Sequence, residues 1–180
     1  MKDLSRRVRN IAPSLTVEID TLAKKLKADG KDIVSLGAGE PDFDTPEEIR
    51  EAGKASIDEG KTRYTSPQGI LEVREAVAKK LLDQNGLRYS PDQIVMTSGA
   101  KHAVFDSLLA LLDPGDEVII PEPYWVTYPE LVKLLGGTPV FVHTEPSRHF
   151  QMSGSDLRKK ITPRTKAVIL NNPTNPTGTL

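Results

Sequence analysis

Apolar positions along this chain follow two kinds of pattern: stripes spaced three and four apart, which predict helices, and short unbroken runs, which predict buried strands. Leu15, Ile19, Leu22 and Leu26 form the first stripe, within residues 14–29, and Gly30 stands where a left-handed stop is wanted. Before it, Arg6, Arg7 and Arg9 carry no apolar period, so the first dozen residues read as an arm rather than a core helix. Residues 31–36, KDIVSL, predict a short strand leading into Gly37-Ala38-Gly39-Glu40-Pro41-Asp42, a loop whose glycines permit close approach of a ligand. Thr45 is expected to cap the next helix, with Pro46 at its first position and Glu48 closing a capping box; this helix runs to about Asp58, and Gly60 ends it. Beyond the turn-rich residues 64–69, YTSPQG, a stripe of Val73, Ala76, Val77 and Leu81 predicts a further helix, stopped at Asn85 and Gly86.

Residues 93–112, QIVMTSGAKHAVFDSLLALL, read as the stretch around which the rest is arranged. Ile94, Val95 and Met96 predict a strand. Thr97 and Ser98 offer capping hydroxyls, Gly99 allows a tight turn, and Ala103, Val104, Ser107, Leu108, Leu111 and Leu112 follow a helical stripe. A strand feeding a helix through small residues makes an anion site: the amides of Gly99, Ala100 and Lys101 would point one way, with the helix dipole and the Lys101 charge behind them. An ordinary capped turn fits this stretch alone equally well.

Asp113-Pro114-Gly115-Asp116 predicts a turn, residues 117–120 a strand, and residues 121–124 a proline-punctuated loop leading to Trp125. Pro129 begins a helix that Gly136 and Gly137 end; residues 138–142 form a strand, 155–161 a short polar helix and 166–170 another strand. Strands alternating with helices predict an α/β fold, a three-layer sandwich on a mostly parallel sheet covered on both faces. Ligands gather at the C-terminal ends of such strands, where residues 99–101, 121–125 and 171–178 are expected to converge.

Composition narrows the partners. The chain's 24 basic residues nearly balance 25 acidic ones for a net charge of −1, which gives no field for nucleic acid or an anionic membrane. It contains no cysteine and no signal-like apolar core, and no apolar run approaches the ~18 residues of a membrane helix, so a cytoplasmic protein with small-molecule partners is expected. Its 180 residues stop directly after the loop-forming run 172–178, which reads as a cut rather than a finished domain.

Set in order, Ala38-Gly39-Glu40-Pro41-Asp42-Phe43, Tyr64 with Gly69, Ser98-Gly99-Ala100-Lys101, Asp113-Pro114-Gly115-Asp116, Pro123-Tyr124-Trp125 and Asn172-Pro173-Thr174-Asn175-Pro176-Thr177-Gly178 resemble the N-terminal portion of class I, fold-type I pyridoxal-phosphate aminotransferases, nearest to their aspartate-handling branch. No single motif suffices; the six in family order make the signal, and the Asn-Pro-Thr-Gly end is the most specific. The resemblance implies pyridoxal 5′-phosphate as cofactor, with its phosphate on Gly99, Ala100 and Lys101. Trp125 would stack on the pyridine ring, and Asn175 would donate to the ring oxygen and touch the substrate carboxylate, which Gly39 also meets through its backbone. Tyr64 would reach the phosphate of a neighbouring subunit, making a homodimer with a shared site. Pro123 and Pro176 match positions of cis bonds. The substrates implied are an amino acid, aspartate first among them, and a 2-oxo acid; Lys101 could face a second carboxylate.

The same resemblance puts a segment of the smaller domain and the arm in residues 1–45, and the start of the large cofactor-binding domain in 46–180. It also puts the cofactor-holding lysine, the aspartate paired with the ring nitrogen and the carboxylate-binding arginine beyond residue 180. No catalytic residue is therefore assigned within the chain, and these 180 residues alone are expected to be inactive. Other enzyme classes lack their patterns: neither Gly37-Ala38-Gly39 nor Ser98-Gly99 extends into a nucleotide-binding motif, and no metal site is expected from His102, His143 and His149, scattered as they are. The remaining alternatives are a non-catalytic ligand-sensing domain of the same fold and an aminotransferase for aromatic or other amino acids.

Overall fold

The computed structural model describes residues 3–37 and 39–180. Along the chain the helices are α1 (Arg6–Arg9), α2 (Leu15–Ala28), α3 (Glu47–Asp58), α4 (Leu71–Asn85), α5 (Ala100–Leu111), α6 (Thr127–Leu134) and α7 (Gly154–Arg158); the strands are β1 (Glu117–Glu122), β2 (Thr138–His143) and β3 (Thr165–Val168). Single turns of tighter helix occupy Pro91–Gln93 and Pro146–Arg148. Contacts divide the chain into two compact units, Met1–Ala38 with Phe105–Leu180, and Gly39–Val104.

The first unit is built on a parallel three-stranded sheet of order β2-β1-β3. Central strand β1 sets Ile119 opposite Val140 on one side and Val168 on the other. Both its faces are covered, which is why its sequence is an unbroken apolar run rather than an alternation: Val118 and Ile119 are wholly buried and Ile120 nearly so. Helix α6 makes the crossover from β1 to β2 and packs its buried Pro129 and Val132 against that sheet. The helix ends because Gly136 turns at φ +84°, and Gly137 lets the chain double back closely; a Cβ there would stand 3.0 Å from Val132 Cγ1 and 3.2 Å from the Asp116 carbonyl.

A polar staple closes the N-terminal end of the sheet. The buried Glu117 carboxylate accepts from the Thr162 hydroxyl at 2.6 Å and from Arg164 Nε at 3.0 Å, with Arg164 Nη2 at 2.7 Å. The Thr162 hydroxyl, against the opposing effect of burial and with the help of Arg164, holds this carboxyl below its ordinary range.

The first thirty residues depart from expectation in two ways. Part of the arm is helical: α1 forms one turn, capped by the Ser5 hydroxyl accepting from the Val8 amide at 3.4 Å. It is tied to the unit where the Ala12 amide donates to Glu130 on α6 at 3.0 Å. Helix α2 matches its prediction and stops at Gly30, φ +78°, yet buries only Ala23, leaving Leu15, Ile19 and Leu22 more than half exposed. Residues 31–36 are not a strand, because no ladder partner lies beside them among the described residues. Ala38 of the predicted loop lies outside the described residues.

The second unit holds α3 and α4. Helix α3 begins one residue later than expected, with Pro46 rather than Thr45 in the capping position and no side-chain cap bond, so the capping box does not form. Helix α4 ends as its sequence requires: Gly86 takes the left-handed conformation at φ 67°, and the Leu87 amide reaches back to the Leu81 carbonyl at 3.0 Å. Residues 94–96, expected as a strand, are extended at Ile94 (φ −119°, ψ 130°) but join no sheet. Their backbone is satisfied elsewhere, with the Met96 amide donating to the Gln68 carbonyl at 2.9 Å.

Candidate functional site

The C-terminal ends of β1 and β3 open into the loops that carry the chemistry-bearing residues of the first unit. From β1 the chain passes through the cis Glu122–Pro123 bond to Tyr124 and Trp125; from β3 it passes Ile169, whose amide still donates to the Ile119 carbonyl at 2.9 Å, into residues 170–178. Between them lies a cavity of about 450 Å³. Ile120 and Ile169 line it at the sheet, Tyr124 and Tyr128 on the β1 side, and Phe150 and Met152 from the loop before α7. Its volume falls in the ~300–1,000 Å³ range of small-molecule sites.

The run of residues 171–178 is knitted to itself rather than to the sheet. Asn171 organises it: its Oδ1 accepts from the Asn175 amide at 2.9 Å, its Nδ2 donates to the Pro173 carbonyl at 3.2 Å, and its own carbonyl accepts from the Thr174 hydroxyl at 3.0 Å. The Gly178 amide closes the turn on the Thr174 carbonyl at 2.7 Å. Both Asn172–Pro173 and Asn175–Pro176 are cis. In this loop the exposed Asn175 lines the cavity, and its carboxamide makes no hydrogen bond among the described residues.

Trp125 stands beside the cavity rather than in its wall. Its ring meets Tyr128 edge-on, centroids 5.4 Å apart at 88°, while Tyr124 stacks on Phe141 at 5.1 Å and 16°. Burial pushes the Tyr128 phenol above its ordinary value, so it is a neutral donor at any working pH. Opposite, His149 and Phe150 both adopt left-handed backbone, φ 51° and 56°, an uncommon pair for residues with side chains.

The other predicted residues belong to the second unit. Gly39 is exposed, with open space where a Cβ would stand, and Tyr64 is fully exposed. Gly99 turns at φ +88° immediately before α5, again with nothing within 4 Å of a Cβ. Its amide donates to the Thr97 carbonyl at 2.9 Å, while the Thr97 hydroxyl donates to the Gly99 carbonyl at 3.1 Å. Ala100 and Lys101 form the exposed first turn of α5.

Sequence reasoning passed over Tyr128, Phe150, Met152 and Asn171. Asn171 carries a signal in hindsight, since an Asn opening a proline-rich turn commonly binds its own backbone. The aromatic and methionine wall carries none, because its members come from separate segments. Among the described residues no group of His, Asp and Glu is placed to hold a metal, and no helix is long and apolar enough to cross a membrane.

An α/β unit whose parallel strands open on proline-rich loops and a small-molecule cavity defines the class, and the sequence comparison defines the family: residues 31–180 match the model for aminotransferase class I and II, and the chain belongs to that family. Over 178 residues it is 51% identical to a protein of Thermus aquaticus named probable aspartate/prephenate aminotransferase, covering 99% of this chain and 46% of that one. It is 50% identical over 175 residues to an aspartate aminotransferase of Geobacillus stearothermophilus, covering 97% and 44%. The aspartate aminotransferase of Thermus thermophilus solved with maleate superposes with a TM-score of 0.95 at 49% identity, covering 98% of this chain and 46% of that structure. The chain thus has their α/β fold and spans less than half of their length.

Proposed function

We propose that the protein carrying this chain is a pyridoxal-phosphate-dependent aminotransferase that passes the amino group of aspartate to a 2-oxo acid in the cytoplasm. The observation that carries the reading is the match of the whole chain to proteins named for that activity, with fold and sequence agreeing throughout. The cavity at the strand ends, with the Asn175 carboxamide at its edge, supports it independently.

The residues present suit the cofactor's chemistry. Pyridoxal phosphate, when bound, supplies an electron sink for the α-carbon of an amino acid. The opening turn of α5 suits a phosphate: Gly99 leaves room for close approach, and the amides of Ala100 and Lys101 present positive ends at the start of a helix of 12 residues. The Gly99 amide donates to the Thr97 carbonyl, so the contribution of Gly99 here is its missing side chain. Trp125 would cover the ring when the cofactor is bound and exclude water. The Asn175 amide would donate to the ring oxygen and hold it as an anion without itself titrating, and it would also meet the substrate carboxylate, the role the resemblance also gives to the Gly39 backbone.

Tyr64, extended into solvent, reaches the phosphate of a second copy, so the working unit is a homodimer with shared sites. Lys101 selects for a second carboxylate. The Thermus thermophilus relative was solved with maleate, a dicarboxylate, which agrees with that preference.

The test uses the full-length protein and its Lys101→Ala form. That change should lower kcat/KM for aspartate by about tenfold or more, the effect of one charge-assisted bond, and change it little for an aromatic amino acid. Equal losses for both substrates would overturn the assignment of Lys101, and absence of turnover with either would overturn the activity.

A further inference from the structure

One buried charge in the second unit has no part in the function proposed above. Arg74, on α4, is 7% exposed. A guanidinium is costly to bury, and it persists where it is hydrogen-bonded and paired. Its Nε donates to the Gly69 carbonyl at 3.2 Å, and its Nη1 reaches the Gln68 side-chain oxygen at 3.3 Å and the Pro91 carbonyl at 2.9 Å. Asp92, mostly exposed, supplies the nearby charge at 3.5 Å. One side chain therefore ties two segments distant in sequence, the turn at residues 66–69 and the single helical turn Pro91–Gln93.

Those two segments meet again directly beyond Arg74. The Met96 amide donates to the Gln68 carbonyl at 2.9 Å, and Met96 packs so closely on Gly69, φ +97°, that a Cβ there would lie 2.8 Å from the Met96 Cβ and 2.6 Å from its Cγ. Three residues after Met96 comes Gly99, and then the first turn of α5. Among the described residues, 94–98 join no sheet. The Gln68–Gly69 turn is thus one of their anchors, beside the Ile94 amide on the Pro91 carbonyl at 3.2 Å, and Arg74 holds both that turn and Pro91.

We propose that Arg74 is a positioning residue for phosphate binding: through Gln68, Gly69 and Met96 it sets the place of the Gly99–Ala100 turn. The inference rests on the reading of that turn as a phosphate site. Lysine cannot replace arginine here, because the Gly69 and Pro91 carbonyls are reached from two different nitrogens, Nε and Nη1, held in one plane, whereas lysine offers a single nitrogen at the end of its chain.

The experiment compares binding of pyridoxal phosphate with binding of pyridoxal to the full-length protein, by absorbance titration; the ratio of dissociation constants measures the phosphate contribution alone. Arg74→Lys should reduce that ratio about tenfold while affinity for pyridoxal stays within about twofold, as expected when one set of charge-assisted contacts is misplaced. In a folded variant, an equal fall in affinity for both ligands would overturn the proposal. Gly69→Ala, which disturbs the same contact from the Met96 side, should give the same selective fall, and it decides the matter where Arg74→Lys does not fold. Lys79→Ala, on the same helix but paired only with Asp83 at the surface, should leave the ratio unchanged. A parent ratio near one overturns the phosphate-site reading itself. A large parent ratio that Arg74→Lys and Gly69→Ala both preserve overturns only the role of Arg74.

Discussion

Individual residues in this chain act mostly by what they hold in place. Asn171 is the clearest case: three of its atoms organise the loop that presents Asn175, so an amide that touches no cofactor in the proposal governs one that does. Glu117 does similar service at the opposite end of the sheet, and there the consequence is a pH dependence of stability. Its folded-state carboxyl is held below the ordinary value near 4.5, first by the Thr162 hydroxyl. A depressed folded value means that the unfolded chain takes up the proton more readily, so the stabilisation is complete above that ordinary value and lost as pH falls through the lowered one. Urea unfolding midpoints should therefore fall on acidification below about pH 4.5, and less steeply in Glu117→Gln. Identical pH profiles for the two proteins would contradict the assignment. The signal for this staple was not legible beforehand, since Glu117, Thr162 and Arg164 lie in different segments and only the β1–β3 pairing unites them.

At the scale of elements, legibility follows the source of each element's stability. Helix α4 could be bounded from its sequence because a stripe of apolar residues and a left-handed glycine are local features. The sheet strands could be found because burial on both faces demands continuous apolar runs, as in Val118-Ile119-Ile120. Residues 31–36 and 94–96 carry the same kind of run and yet join no sheet, because a strand also needs a partner and a partner is not a local property. The cavity shows the same division. Asn175 and the proline-rich turn could be singled out from a motif, whereas Phe150 and Met152 reach the wall by way of a left-handed backbone pair that no pattern announces.

The weight placed on β1 can be measured. Ile119 is fully buried at the centre of the sheet, so Ile119→Val should cost about 0.5–1.5 kcal/mol and Ile119→Ala about 2–5 kcal/mol in unfolding free energy. Small and equal effects for the two changes would mean that the strand is not the core element described here.

For the whole molecule, family membership and fold rest on similarity along nearly the entire chain, which spans less than half the length of the named relatives. Near-neutral charge agrees with small, individually bound substrates, since it supplies no long-range field to gather a polyanion. What separates an aminotransferase from a ligand-sensing domain of the same fold is whether the bound amino acid leaves as a 2-oxo acid. The full-length protein, loaded with pyridoxal phosphate and freed of excess, would be mixed with L-aspartate in the absence of any acceptor. One equivalent of oxaloacetate per cofactor-binding site is expected, the amino group remaining on the cofactor, and then one equivalent of glutamate when 2-oxoglutarate is added. Tight binding of cofactor and aspartate with no oxaloacetate released would contradict the proposed activity.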